Sequence, residues 1–207
     1  MKRVQGTLTL LLMGLLMSLS APSNAAQTAT SFAREYGETL PPVGFVEFCR
    51  RLPENCRPEE EHRGFTMTED KWLLVRMVNS YVNGAIAPIE DEALYGVAEF
   101  WTLPTDAGDC EDIMLMKRKI LVSKGIPEEA LRITVVLDEN GNGHAVLTLV
   151  TPSGDYVLDN RRNDIRPWRS TGYTFLKRQA AHNPLKWVSL EAAGMARRAG
   201  IAGTASK

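Results

Sequence analysis

Apolar residues fall twice on a helical face and then switch to alternation. Trp72, Val75, Val78 and Val82 recur at intervals of three and four, the spacing that lines up side chains along one stripe of a helix. Thr66-Met67-Thr68-Glu69 ahead of them reads as a capping box and Asn83-Gly84 behind them as a stop, so a helix is expected between these signals with Trp72 in the core. A second run, Ile113, Met116, Ile120 and Leu121, keeps helical spacing until Gly125 and Pro127. Gly108 and Asp109 break and cap it, which predicts a helix over 110–124 with Cys110 in the first turn. The period then becomes two: 131–137 and 144–150 alternate and are rich in Val, Ile, Thr and Leu. Asp138-Glu139-Asn140-Gly141-Asn142-Gly143 between them is a turn, and a third strand at 156–159 follows Thr151-Pro152-Ser153-Gly154-Asp155. Helices followed by an antiparallel meander define an α+β fold. Residues 36–65, rich in Pro, Gly and charge, are expected to be irregular.

Length changes this picture little, since 207 residues suit one domain. Apolar content of 44% and charged content of 24% are those of a globular protein with a true core, and a net charge of −1 excludes a nucleic-acid surface or a polybasic membrane patch. The expected partner is a protein or a small molecule. Lys2 and Arg3, the apolar run at 8–17 and Ser23-Asn24-Ala25 form a secretory leader over 1–25, too short in its apolar part to span a bilayer. A flexible start at 26–35, the folded domain at 36–199 and a disordered tail at 200–207 are expected to follow. No later stretch reads as membrane-inserted, which predicts a mature chain that is soluble outside the cytoplasm.

An oxidising compartment alters how the three cysteines are read. Cys49 and Cys56 flank a short loop containing Pro53 and are expected to form a disulfide, the alternative being three buried reduced thiols. Cys110 is then left over, either for an intermolecular bridge or as a reactive group. It stands among Asp109, Glu111 and Asp112. A helix start favours the thiolate while three carboxylates oppose it. A divalent cation on those acids, with calcium the match for hard oxygen ligands, would remove the conflict. The competing reading is a solvated acidic helix start with a structural cysteine.

His144 and Asp159 are the candidates to serve such a thiol, which needs an imidazole to take its proton and a third group to hold that imidazole. For any even-length turn the two share a sheet face. A turn on Ser153-Gly154 would leave Asp159 opposite Thr148, about 13 Å from His144, whereas a turn centred on Thr151-Pro152 or a bulge would bring them together. Asp138-x-Asn140-x-Asn142-Gly143 resembles the opening of an EF-hand but has Leu149 where the bidentate glutamate belongs, and is read as a hairpin. Trp168, Tyr173, Phe175 and Trp187 read as core or cleft wall. Arg161, Arg162 and Arg166 read as a solvated edge or a groove lining.

Trp101, Pro104 and Gly108-Asp109-Cys110-Glu111-Asp112, then His144-Ala145-Val146-Leu147, then Tyr156-Val157-Leu158-Asp159-Asn160 together resemble the bacterial transglutaminase-like cysteine proteinases, the family that includes the LapG-like periplasmic proteases. The resemblance runs from about Tyr36 to Leu190. It implies a papain/transglutaminase-like fold, with a helix-borne cysteine packed on an antiparallel sheet, a Cys110–His144–Asp159 triad and a calcium site on Asp109, Glu111 and Asp112. It further implies a periplasmic or secreted endopeptidase acting on a protein such as a surface adhesin, regulated by an inner-membrane receptor for cyclic-di-GMP. In the mechanism expected of such a triad, the Cys110 backbone N–H and a second donor, for which the Trp101 indole is the candidate, stabilise the oxyanion. The short segment Thr105-Asp106-Ala107 and the Phe45-Cys49-Cys56 region depart from the LapG branch. The same triad also serves acyl transfer to an amine, and a noncatalytic calcium-dependent binding module is the reading from outside enzymology.

Overall fold

The computed structural model describes residue 1 and residues 31–58 and 65–192. The expected leader, the tail and His62 lie outside the described residues. A seven-stranded antiparallel sheet runs in the order β1-β9-β8-β4-β5-β6-β7. Its strands are β1 (Glu38–Thr39), β4 (Leu131–Leu137), β5 (Gly143–Thr151), β6 (Gly154–Asp159), β7 (Arg162–Pro167), β8 (Thr174–Gln179) and β9 (Trp187–Ser189). Among the described residues four helices accompany it: α1 (Val43–Arg51), α2 (Glu69–Ala85), α3 (Asp91–Tyr95) and α4 (Cys110–Ser123). A separate parallel pair joins β2 (Ala87–Pro88) to β3 (Ala107–Gly108).

Both expected helices form; the first runs through its expected stop at Asn83-Gly84 to Ala85, and its start is shifted too. α2 is capped at Thr68, whose hydroxyl accepts from Lys71 N at 3.3 Å, not at Thr66, whose carbonyl instead accepts from Lys71 Nζ at 2.7 Å. Two threonines two residues apart offer the same cap signal, and only the second leaves the first turn free for Glu69 and Asp70. Val75, Val78 and Val82 are buried as expected, while Trp72 is half-buried and packs edge-on against Tyr156 at 4.9 Å. α4 stops at Gly125, which takes φ +86, the left-handed conformation that glycine adopts without cost.

The segment expected to be irregular contains α1, entered through Pro41-Pro42 and burying Phe45 and Phe48. Its C-terminal end is tied by the Cys49–Cys56 disulfide, Cα to Cα 5.7 Å. The main core lies between the helices and one sheet face. Phe45, Val75, Val82, Ile113, Leu121, Ile133, Leu147, Leu149, Trp101 and Trp187 are part of it. A smaller cluster of Val136, Val146, Val157 and Phe175, flanked by Trp168 and Tyr173, lies apart from it. Residues 31–35, expected within the flexible start, lie against the sheet together with Tyr36: Ala33 N donates to Asp155 Oδ2 at 2.9 Å and Tyr36 N to Ser189 O at 2.9 Å. Arg178 locks them in place through Asp155 (2.7 Å) and Glu35 (2.8 Å). No helix among the described residues is long and apolar enough to cross a membrane.

Candidate active site

The sequence Gly108-Asp109-Cys110 forms a sharp strand-to-helix junction. Ala87 N donates to Asp106 O at 2.8 Å and Ile89 N to Gly108 O at 3.1 Å, so β2 holds β3 in register up to the helix. A side chain at Gly108 would meet the Asp112 Cβ at 2.7 Å and its Oδ2 at 2.8 Å, so glycine is required by close approach. Asp109 Oδ1 then accepts from Glu111 N (3.2 Å) and Asp112 N (3.3 Å), capping α4 as expected. Cys110 therefore opens the helix, where backbone N–H groups have no intrahelical partner.

Its half-buried sulfur is reached by the backbone N–H of Ala145, the residue after His144, while the thiol donates to Glu111 Oε2 at 2.8 Å. The thiol thus lies beside β5 at the end that carries His144, with its hydrogen bond given to Glu111. Burial, Glu111 and Asp109 push its pKa well up, against the Ala145 N–H.

His144 and Asp159 are both buried and joined, Nε2 to Oδ1 at 3.0 Å. The register that achieves this is neither of those weighed from sequence. Thr151 pairs with Gly154 and Leu147 with Leu158, so the turn sits on Pro152-Ser153 and Asp159 falls beside Val146, one diagonal step from His144. Asp159 Oδ1 also accepts from Arg161 N at 3.0 Å and Oδ2 from the Tyr173 hydroxyl at 2.5 Å. Burial raises the Asp159 pKa, but the hydrogen bonds from His144, Tyr173 and Arg161 outweigh it and hold the carboxyl at about 2. With Nε2 committed to a carboxylate, Nδ1 is the nitrogen that can serve the thiol.

A carboxylate cluster adjoins the thiol. Asp91 from α3 joins Asp109 and Asp112, with a ligand atom from each within 4.8 Å of the others. Asp91 and Asp112 are 2% and 0% exposed, and Asp91 Oδ1 and Asp112 Oδ2 have no hydrogen-bond partner. Their second oxygens hold the preceding segment, Asp112 Oδ1 accepting from Thr102 N at 2.7 Å and Asp91 Oδ2 from Phe100 N. Burial, Asp109 and Asp91 push Asp112 up to about 7 despite the Thr102 N–H, and burial with neighbouring acids raises Asp109 and Glu111. Orphaned buried carboxylate oxygens facing one another are a donor set suited to a hard divalent cation. Asp91 has no distinguishing mark in sequence, because Glu90-Asp91-Glu92 reads as a solvated acidic run. Glu111, expected in the set, lies outside this group with its carboxylate on Cys110.

Trp101 takes a different place from the one expected. It is 2% exposed, packs edge-on against Phe45 at 6.0 Å, and gives its indole N–H to Glu99. A core tryptophan so engaged is not an oxyanion donor. The three arginines are each paired: Arg161 with Asp138 and Arg162 with Glu139, both at 2.9 Å, and Arg166 with Asp164. Asp138 also accepts from Asn140 N and Asn142 N at 2.9 and 2.8 Å, so it holds the hairpin turn.

A thiol at a helix start, set against a sheet that bears a joined imidazole and carboxylate, is the arrangement of a papain- or transglutaminase-like cysteine proteinase. The chain belongs to the bacterial transglutaminase-like cysteine proteinase family, BTLCP, whose profile matches residues 35–195. Among solved structures it is similar to Legionella pneumophila LapG. The EGTA-treated form has 24% identity over 57% of this chain and 67% of that one, with a TM-score of 0.49. A second form, given simply as LapG, has 23% identity over 63% and 74%, with a TM-score of 0.49. The calcium-bound form has 22% identity over 63% and 79%, with a TM-score of 0.48. No curated protein matches the chain.

Proposed function

We propose that the protein is a secreted, calcium-dependent endopeptidase that cleaves a cell-surface protein through Cys110, His144 and Asp159. The observation that carries the reading is the buried His144–Asp159 pair at 3.0 Å, on the strand whose Ala145 N–H lies near the thiol. Asp159 fixes the imidazole with Nε2 protonated, and Nδ1 takes the thiol proton once Cys110 turns from Glu111. The thiolate attacks the peptide carbonyl, and a C–S bond forms. The imidazolium returns its proton to the departing amine as the C–N bond breaks. Water, deprotonated by the same imidazole, then releases the acid and restores the thiol. The Cys110 backbone N–H, at the first turn of α4, would receive the oxyanion.

Asp109 and Asp112, with Asp91, would hold calcium, and Glu111 would join them only by turning away from Cys110. The two orphaned oxygens of Asp91 and Asp112 support this assignment. Bound there, calcium neutralises the negative charge that opposes a thiolate at Cys110. A surface adhesin as substrate and an inner-membrane receptor for cyclic-di-GMP as regulator extend the same reading from the family resemblance.

The test is a proteomic comparison of surface proteins from wild-type cells and cells carrying Cys110→Ala, each with and without a calcium chelator. One or more surface proteins are expected to lose a defined N- or C-terminal fragment only in wild-type cells with calcium present. Identical termini in all four samples would refute the assignment.

A further inference from the structure

Both oxygens of Asp159 are accounted for, and one of their partners belongs to no part of the mechanism so far. Oδ1 receives His144 Nε2 and Arg161 N, each at 3.0 Å, and Oδ2 receives the Tyr173 hydroxyl at 2.5 Å. Tyr173 does a second thing. Its ring stands edge-on to the His144 imidazole, with centroids 5.6 Å apart and planes at 85°. One side chain therefore touches the carboxylate through its polar end and the imidazole through its ring.

Tyr173 is itself held from behind. Its backbone N–H donates to Thr171 Oγ1 at 3.2 Å, and the Thr171 hydroxyl donates to Trp168 O at 2.8 Å. Gly172 between them takes φ +83, so the loop delivers Tyr173 at a fixed angle. Arg162, on the strand beside Asp159, pairs with Glu139 Oε1 at 2.9 Å. Tyr173 to Asp159 to His144 is thus a single hydrogen-bonded line that ends at Nε2, leaving Nδ1 as the other ring nitrogen.

We propose that Tyr173 is a positioning residue of the catalytic apparatus, fixing Asp159 in the rotamer that receives His144 Nε2–H and walling the imidazole with its ring. The inference rests on the triad reading above and adds to it a fourth side chain that touches neither thiol nor substrate. Without the hydroxyl, Asp159 keeps Arg161 N but is free to turn about χ2, so the imidazole loses its fixed acceptor while every packing contact of the ring remains.

The chain has three histidines, so 15N-histidine labelling gives a simple imidazole spectrum. The test compares wild-type protein, Tyr173→Phe and Asp159→Asn, all with calcium. It reads the His144 Nε2–H signal, the rate of Cys110 alkylation by iodoacetamide at pH 7, and the melting temperature. In the wild type one protected Nε2–H is expected. In Tyr173→Phe its exchange with water is expected to quicken about tenfold or more and alkylation to slow by a similar factor, the loss typical of one hydrogen bond to a charged group. The melting temperature is expected to stay within a few degrees. An unchanged signal and alkylation rate in Tyr173→Phe, while Asp159→Asn loses both, would overturn the proposal and leave the triad standing. A fall in melting temperature with the signal of the folded protein intact would overturn it as well, since that is what a purely structural tyrosine gives. An Asp159→Asn protein that is alkylated as fast as wild type would remove the triad reading and this inference with it.

Discussion

A carboxylate buried to 3% exposure and yet held ionised needs several donors, and Asp159 collects three, from His144, Tyr173 and Arg161. Asp159→Asn keeps the shape and presents an amide to Nε2, which favours the wrong tautomer of His144. Turnover of the protein substrate is expected to drop by about 10²-fold or more with KM little changed, measured by steady-state cleavage. Gly108 makes a steric demand: its missing Cβ would lie 2.7 Å from the Asp112 Cβ. Gly108→Ala is expected to cost about 1–3 kcal/mol of stability in denaturant titrations and to weaken calcium binding by displacing Asp112. At this scale the sequence was informative about residue types and poor about reach. A free cysteine, a histidine opening a strand and an acid ending the next one are visible as letters. The turn on Pro152-Ser153 is what brings the last two together, and no residue type marks it against its neighbours. Tyr173 and Asp91 carried no signal, because an aromatic near a strand and an acid in an acidic run are ordinary there.

The start of α4 concentrates charge that the fold does not itself neutralise. An acid whose pKa is raised by folding binds its proton more tightly in the native state, so stability is lost as pH climbs from the unfolded value through the folded one. For Asp112 that window runs from 3.8 to about 7, and Asp109 and Glu111 act in the same direction. In chelator the melting temperature is therefore expected to fall between pH 5 and pH 8, and millimolar calcium to restore it at pH 8. Asp112→Asn retains the acceptor for Thr102 N, so it is expected to melt higher than wild type in chelator at pH 8 and to lose the calcium response. Lys117, 1% exposed on the same helix, acts in another window. Burial lowers its pKa from 10.5 to about 7 against the pull of Asp159, so the unfolded chain holds the proton better and stability rises as pH climbs between those values. Lys117→Met is expected to stabilise the fold by about 1–4 kcal/mol at neutral pH and to remove that rise in thermal melts. The two long helices and the central hairpin were legible because periodicity reports a face that must be buried. α1 was not, since Pro, charge and two cysteines obscured its Phe45 and Phe48. The strands β7 to β9 also escaped, because β7 alternates weakly and β9 spans only three residues.

At the scale of the whole molecule, two segments that carry no chemistry are tied onto the fold. The arm at 31–36 is clamped to the sheet by Asp155 and Arg178, and α1 is closed by the Cys49–Cys56 bridge. A loop this short removes limited chain entropy, so replacing both cysteines by serine is expected to cost about 2 kcal/mol, read as a lower denaturant midpoint with catalysis retained below it. The central claim is that the Cys110 thiol is activated by an imidazole that Asp159 steers. The most direct measurement is the rate of Cys110 alkylation by iodoacetamide from pH 5 to pH 9 with calcium present, in wild type and in His144→Ala. Wild type is expected to react well below the pH at which an ordinary thiol does, with a plateau through neutrality that His144→Ala abolishes. Alkylation that rises only above pH 8 in both proteins, as an ordinary thiol would give, would contradict the account.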